Sequence, residues 1–170
     1  MDKHQESKYI GYLLSPIGLL EIQSDGVYIN SIRFLNNTEP KPINEQNGLV
    51  QNCIVQLNEY FEGKRKLFDL PLMPSGTEFQ FKVWDKVSEI PYGETSSYGL
   101  ISKLLGDPKL SRAVGTANGA NPIPIIIPCH RVIGNDGSLT GYAGGLDRKK
   151  WLLNHEQSHY TITKGQLKMF

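Results

Sequence analysis

The 170 residues predict an α+β chain in two parts, and three observations carry that prediction. Two strand-like runs, Leu19 to Ile22 and Val27 to Phe34, flank the turn signal Ser24-Asp25-Gly26 and read as a β-hairpin. Val50, Cys53, Ile54, Leu57, Tyr60 and Phe61 then recur at helical spacing, with Gly63 where a C-terminal cap belongs. Finally, Gly63 to Gly76 holds Lys64-Arg65-Lys66, two prolines and two glycines, a composition that reads as a linker. The domains expected are therefore 1–75, α/β with the linker at its end, and 76–170.

The remaining elements follow in order. Asn36 to Gly48 is polar, carries Pro40 and Pro42, and reads as a loop. Thr77 is placed to N-cap a helix whose apolar face includes Phe81, Trp84 and Val87 and which ends before Pro91. Ser97 to Leu105 puts Tyr98, Ile101, Leu104 and Leu105 on one side of a short helix that closes at Gly106. Asp107 caps a second helix, with Pro108 at a first position where its missing N-H costs nothing, running through Arg112 to about Asn118. Two short helices around a glycine-containing turn fit a helix-turn-helix. The glycine-dense stretch Ile133 to Gly145 implies tight turns or close approach to a ligand, and also fits a plain hairpin. Leu146 to Glu156 reads as a helix turning Trp151, Leu152 and Leu153 inward, with a frayed tail beyond.

Composition narrows the class without choosing a function. Hydrophobic content of 39% and charged content of 21% are ordinary for a soluble globular protein, and no run is long enough to span a membrane. Residues 1 to 9 lack the apolar core of a signal peptide, which predicts a cytosolic, reducing location. Cys53 falls in a helical apolar pattern and reads as a small core residue. The net charge of +1 conceals an asymmetry: residues 1–75 carry 7 Lys/Arg against 9 Asp/Glu, residues 76–170 carry 11 against 8, and residues 108–150 carry 6 against 2. That is a modest positive footprint, suited to local contact with a nucleic-acid backbone, and equally to a solvated surface.

The chemistry centres on Pro122 to Val132. Ile123 to Ile127 is β-branched, fenced by prolines and too short for a buried helix, so a buried extended segment is expected, ending at Pro128 with Cys129 held at its rigid end. A cysteine attacks as thiolate, and a reference pKa of about 8.5 leaves only a few per cent ionised at neutral pH. A histidine, acting directly or through a water and oriented by a carboxylate, would take the proton. His130 and Glu156 are the candidates.

The run Ile127-Pro128-Cys129-His130-Arg131-Val132, preceded by Asn121-Pro122 and followed by Gly141-Tyr142-Ala143-Gly144-Gly145-Leu146 and His155-Glu156, resembles the methylated-DNA-protein cysteine methyltransferases, or O6-alkylguanine-DNA alkyltransferases. Ile90-Pro91-Tyr92-Gly93, Ser97-Tyr98 and Ser111-Arg112-Ala113-Val114-Gly115 extend the likeness from Gly76 to Glu156. Only Ser15-Pro16-Ile17-Gly18 carries it into the first half. The resemblance implies a ribonuclease H-like N-terminal domain and a C-terminal winged-helix-like domain that binds the minor groove of double-stranded alkylated DNA. It implies that a flipped O6-alkylguanine, and O4-alkylthymine after it, gives its alkyl group to Cys129 once per molecule. His130 would be the base acting through a water, Glu156 the keeper of its tautomer, Asn121 the buttress of the thiol loop. Tyr98 would help flip and hydrogen-bond the base, and Arg112 would fill the vacated stack. Ala113 and Arg131 would join the DNA contacts, and Tyr142, Ala143 and Gly144 would wall the base pocket, Ala143 standing where some members have serine. No cofactor and no metal are implied, and the expectation is a monomer in the cytoplasm, nucleus or nucleoid.

Three other readings compete with it. His155-Glu156-Gln157-Ser158-His159 fits the H-E-x-x-H zinc signature, but a catalytic zinc needs a third protein ligand and no ligating residue follows His159. A cysteine hydrolase using Cys129, His130 and Glu156 has no evident oxyanion device. A winged-helix regulator with an inert thiol is disfavoured by Cys129 itself, which lesion-sensing relatives lack.

Overall fold

The computed structural model describes residues 8–36, 39 and 47–164. The chain divides into two compact units, Met1–Ser75 and Gly76–Phe170.

In the first unit β1 (Tyr9–Ser15), β2 (Gly18–Ser24) and β3 (Ile29–Leu35) form an antiparallel sheet in the order β1-β2-β3. The sequence reading had β2 and β3 but not β1, whose Tyr9-Ile10-Gly11-Tyr12 start has no polar alternation to announce it. Helix α1 (Gly48–Phe61) is N-capped by Asn47, whose side chain accepts from the N-H groups of Leu49 and Val50. It buries Val50, Cys53, Leu57 and Tyr60. A side chain at Gly11 would strike Val50, so α1 comes close over β1 because position 11 is glycine. The expected linker is not slack throughout. Ile29 N-H donates to the Pro71 carbonyl at 2.8 Å and Met73 N-H to the Ile29 carbonyl at 3.0 Å, so residues 71–73 run beside β3. Most of the expected loop Asn36 to Gly48 lies outside the described residues.

The second unit starts with α2 (Glu78–Ser88), closed by a capping box in which Gln80 N-H donates to Thr77 Oγ1 while Thr77 N-H donates to Gln80 Oε1. Ser96–Ser97 (β4) pairs in parallel with Val132–Ile133 (β5), a two-residue ladder that sets α3 (Tyr98–Leu104) beside the nucleophile loop. Asp107 caps a 3₁₀ turn at Pro108–Leu110 by accepting from Lys109 N-H, and α4 (Ser111–Gly119) follows. Pro108 therefore opens a separate tight turn instead of α4 itself. The Trp84 indole, 2% exposed, donates to the Ala117 carbonyl at 2.9 Å and binds α2 to α4. Burial on this scale makes Trp→Ala cost about 3–5 kcal/mol.

Two expectations for this unit are corrected. Ile123 to Ile127 is buried but not extended: Ile127 N-H donates back to the Ile123 carbonyl at 3.0 Å, and Ile125 sits at φ 74. A β-branched residue in left-handed geometry is strained, and burial of its side chain holds it there. Residues 134–145 form no second strand of a hairpin. They fold as turns, with Gly134 N-H donating to the Ser138 carbonyl and Ser138 N-H to Asp136 Oδ1. Helix α5 (Leu146–Lys164) runs two turns past the expected end, and the last six residues lie outside the described part.

Candidate functional site

Cys129 opens a 3₁₀ turn, Cys129–Arg131, directly after the Ile123–Ile127 turn. The side chain of Asn121 laces that turn from within, donating from Nδ2 to the Ile127 carbonyl at 2.8 Å and accepting Ile123 N-H at 2.9 Å. The Cys129 thiol is 4% exposed. Burial pushes its pKa up to about 11, against the Asn121 side chain and the positive charge of Lys149, which pull it down. At rest it is a thiol, so its proton must leave as the sulfur attacks.

His130 is fully buried, and its Nε2 lies 2.6 Å from Glu156 Oε1 on α5. Arg131 grips the same carboxylate with two groups, Nε to Oε2 at 2.9 Å and Nη2 to Oε1 at 3.0 Å. Gly93 N-H also donates to Oε2, at 3.1 Å. Gly93 needs its φ of +78 to do so, and a Cβ there would run into the Tyr160 ring. Burial pushes the Glu156 carboxyl up, but His130 and Arg131 outweigh it and hold it well below the usual carboxylate range. Burial, with Arg131 and Lys149 adding to it, holds His130 below the ordinary imidazole pKa despite Glu156. Glu156 is thus ionised and His130 neutral at pH 7. An ionised carboxylate only accepts, so the imidazole proton sits on Nε2 and Nδ1 carries a free lone pair. Among the described residues Nδ1 is buried without a hydrogen-bond partner, the state in which a base is most ready to take a proton.

Arg131 was expected among the DNA contacts and is corrected here. It is 6% exposed, its Nη1 donates to the Ile90 carbonyl at 2.7 Å, and its charge is spent on Glu156. It is an internal counter-ion for the site. The H-E-x-x-H reading fails on the same geometry: Glu156 is engaged by His130 and Arg131, and the His155 ring stacks on Trp151 with centroids 4.8 Å apart.

Tyr98, the first residue of α3, gives its hydroxyl proton to the Thr140 carbonyl at 3.0 Å, so the loop after Cys129 is joined to α3. In that loop Tyr142 is partly buried, Ala143 exposed and Gly144 buried, the Gly144 carbonyl accepting from Arg148 at 2.8 Å. Arg112 and Ala113 are both exposed in the first turn of α4, lining a groove of about 750 Å³ with Lys109, Leu110, Ser111 and Thr116. They stand on the face of the helix pair, apart from the buried cluster that holds His130.

Lys149 went unread in the sequence. Its Nζ donates to the Val132 carbonyl at 2.5 Å and to the Thr140 carbonyl at 2.8 Å, fastening both ends of the 132–140 loop. It lies 5.8 Å from the Tyr98 ring centroid, and burial brings its pKa down to about 8 while Cys129 works against that. Asn118, also unread, donates from Nδ2 to the Cys129 carbonyl at 3.1 Å. The only available signal for Lys149 was its place two residues before the apolar run Trp151-Leu152-Leu153.

Comparison with known proteins matches both units. Residues 8–74 match the family model for 6-O-methylguanine DNA methyltransferase, ribonuclease-like domain, and residues 78–158 that for 6-O-methylguanine DNA methyltransferase, DNA binding domain. The methylated-DNA–protein-cysteine methyltransferase of Methanosarcina acetivorans is 47% identical over 154 residues, covering 88% of this chain and 99% of the relative. A crystal structure of the Mycobacterium tuberculosis O6-methylguanine methyltransferase superposes with a TM-score of 0.80 at 44% identity, covering 89% of this chain and 93% of that one. The Mycobacterium tuberculosis OGT in complex with DNA superposes with a TM-score of 0.79 at 47% identity, covering 87% and 92%. With both units matched and the buried Cys129-His130-Arg131 turn tied to Glu156, this chain belongs to the 6-O-methylguanine DNA methyltransferase family.

Proposed function

We propose that this chain repairs alkylated duplex DNA by moving the alkyl group of O6-alkylguanine, and of O4-alkylthymine, onto Cys129 Sγ. The helix pair docks in the minor groove, Arg112 fills the stack as the damaged nucleotide rotates out, and the base enters the pocket walled by Tyr142, Ala143 and Gly144. Extrusion is required because a stacked base cannot bring its O6 substituent to a buried thiol, and it costs a few kcal/mol that groove and pocket contacts offset. His130 Nδ1 takes the thiol proton, through a water, as the new S–C bond forms. The C–O6 bond breaks with its electron pair going to guanine, which is reprotonated with Tyr98 donating to the base. One proton leaves sulfur and one reaches guanine, so the step is redox-neutral and calls for no cofactor.

The observation that carries this reading is the orientation of His130: an ionised Glu156 holds the proton on Nε2 and leaves Nδ1 as the basic nitrogen, on the residue next in sequence to a nucleophile whose own pKa is too high for spontaneous ionisation. The thioether product has no activated bond, so each chain acts once, as a monomer.

Intact-mass measurement after exposure to methylated duplex DNA tests it. One added methyl group is expected, on Cys129 and not on Cys53, which is fully buried with its pKa pushed up to about 12 by that burial. Demethylated product in excess of protein would show a hydrolytic step that regenerates the thiol and would overturn the reading.

A further inference from the structure

Helix α5 continues beyond Glu156, and its next turn reaches back to one glycine. Gly93 N-H donates to Glu156 Oε2 at 3.1 Å, and the Gly93 carbonyl accepts from Gln157 Nε2 at 3.0 Å. Tyr160 gives its hydroxyl proton to Glu94 Oε1 at 3.0 Å. A Cβ on Gly93 would lie 2.6 Å from Tyr160 Cβ and Cγ, so the tyrosine closes directly on a residue that has no side chain to hold it off. On a helix surface position 160 neighbours both 156 and 157, so one turn of α5 grips the N-H, the carbonyl and the bare Cα of Gly93 together. At the other end of the same loop Arg131 Nη1 holds the Ile90 carbonyl at 2.7 Å.

What this grip does follows from the carboxylate. The terminal torsion of a glutamate is broad, so the plane of its carboxyl group is set by the partners it finds. His130 and Arg131 belong to the same 3₁₀ turn and move with it, whereas Gly93 N-H arrives from a separate stretch of chain. Loosening Gly93 lets the plane pivot about the guanidinium and lengthens the 2.6 Å contact between Oε1 and His130 Nε2. Resting on the transfer reaction set out above, we propose that Tyr160 and Gln157 are positioning residues for it: by clamping Gly93 they hold the Glu156 carboxylate in the plane that keeps the His130 proton on Nε2 and leaves Nδ1 as the base. Both act through the glycine, one step removed from the histidine and two from the sulfur.

Full-length wild type, Tyr160→Ala, Tyr160→Phe and Gln157→Met are compared. Methyl transfer is measured at saturating methylated duplex and with free O6-benzylguanine, duplex affinity by fluorescence anisotropy, and the proton position on His130 by nitrogen NMR of histidine-labelled protein. Tyr160→Ala is expected to slow transfer roughly tenfold, short of the ~10²-fold that a full 1 Å misplacement costs. The loss should be the same on duplex and on free base, because both need the same proton acceptor, and duplex affinity should stay within about twofold. The His130 signal should move from the Nε2-H form toward a mixture of tautomers, which a side chain that only held the fold would not cause. Tyr160→Phe keeps the ring on Gly93 and should restore the rate to within about threefold of wild type, and Gln157→Met, which keeps the length but removes the donor, should fall between. In a Glu156→Gln background Tyr160→Ala should cost nothing further, since it acts through the carboxylate. A wild-type rate in Tyr160→Ala, a slowed rate with the His130 tautomer unchanged, or losses that multiply in the double variant each overturn the proposal. Should Tyr160→Ala fail to fold, Gln157→Met carries the same test, and an unaltered His130 signal there is equally fatal. A wild-type chain that takes no methyl group overturns the transfer reading, while the NMR comparison still decides whether these two side chains hold the tautomer of His130.

Discussion

His130 Nε2 and Glu156 Oε1 stand 2.6 Å apart with both side chains closed to solvent, and Arg131 braces the far side of the carboxylate. The three form a chain of fixed sense. The guanidinium keeps the carboxylate ionised, the carboxylate keeps the imidazole proton on Nε2, and Nδ1 is left basic. Charge at one end decides which nitrogen works at the other.

Removing the middle link tests the chain. Glu156→Gln is expected to slow methyl transfer on the order of 10²-fold or more, because the tautomer of His130 is no longer imposed. It should also cost about 3–5 kcal/mol of stability, because Arg131 becomes a buried charge without its counter-ion. Duplex affinity, read by fluorescence anisotropy, should change little. An unaltered transfer rate in a folded variant would mean that the thiol is activated in another way.

The pH dependence follows from the directions of two pKa shifts. His130 is held below the imidazole range, so transfer should persist through pH 6.5, where an ordinary histidine base is half lost, and decline only at lower pH. Stability should fall in the same direction. Below about pH 6.5 the unfolded chain binds a proton at His130 that the folded chain refuses. Below about pH 4.3 the unfolded chain begins to bind one at Glu156, whose folded pKa is depressed. In both cases the unfolded state binds more protons, so the melting temperature should drop steadily on acidification. A transfer midpoint at or above pH 6.5 would contradict the assignment of His130 as a neutral buried base.

Arg112 separates extrusion from chemistry. It is exposed in the first turn of α4, away from the buried cluster, so Arg112→Ala should react poorly with methylated duplex yet near-normally with free O6-benzylguanine, which needs no extrusion. The comparison is made at saturating DNA, where a lost phosphate contact no longer limits the rate. Equal losses on both substrates would place Arg112 in support of the pocket or the fold.

Lys149 predicts a loop effect. Lys149→Met would take its partner from the Val132 carbonyl, at a cost of about 1–3 kcal/mol, and leave the Thr140 carbonyl to Tyr98, partly offset by no longer burying an ammonium. Faster amide exchange across residues 134–145 and slower transfer are expected together. Unchanged exchange would show that the turns of this loop, such as Gly134 with Ser138, hold it without the lysine.

The amino-acid sequence by itself determined what repeats locally. The apolar spacing of α1, the Thr77 cap of α2, the paired short helices and the proline that ends the approach to Cys129 are encoded within a few residues of where they act, because caps and periodicity are short-range physics. It also supplied the motif that marks the family. Tertiary structure alone decided what faces what. Arg131 and Lys149 look like surface cations in a basic stretch, and only the packing of α5 against the Cys129–Arg131 turn turned them inward. Ile123 to Ile127 has the composition of a strand, yet Asn121 bonds across it and pulls it into a turn with Ile125 at φ 74, a strain that local preference opposes and burial sustains. Asn118 gave no signal because its partner, Cys129, lies 11 residues ahead, and a hydrogen bond across such a separation exists only once the elements between them have packed.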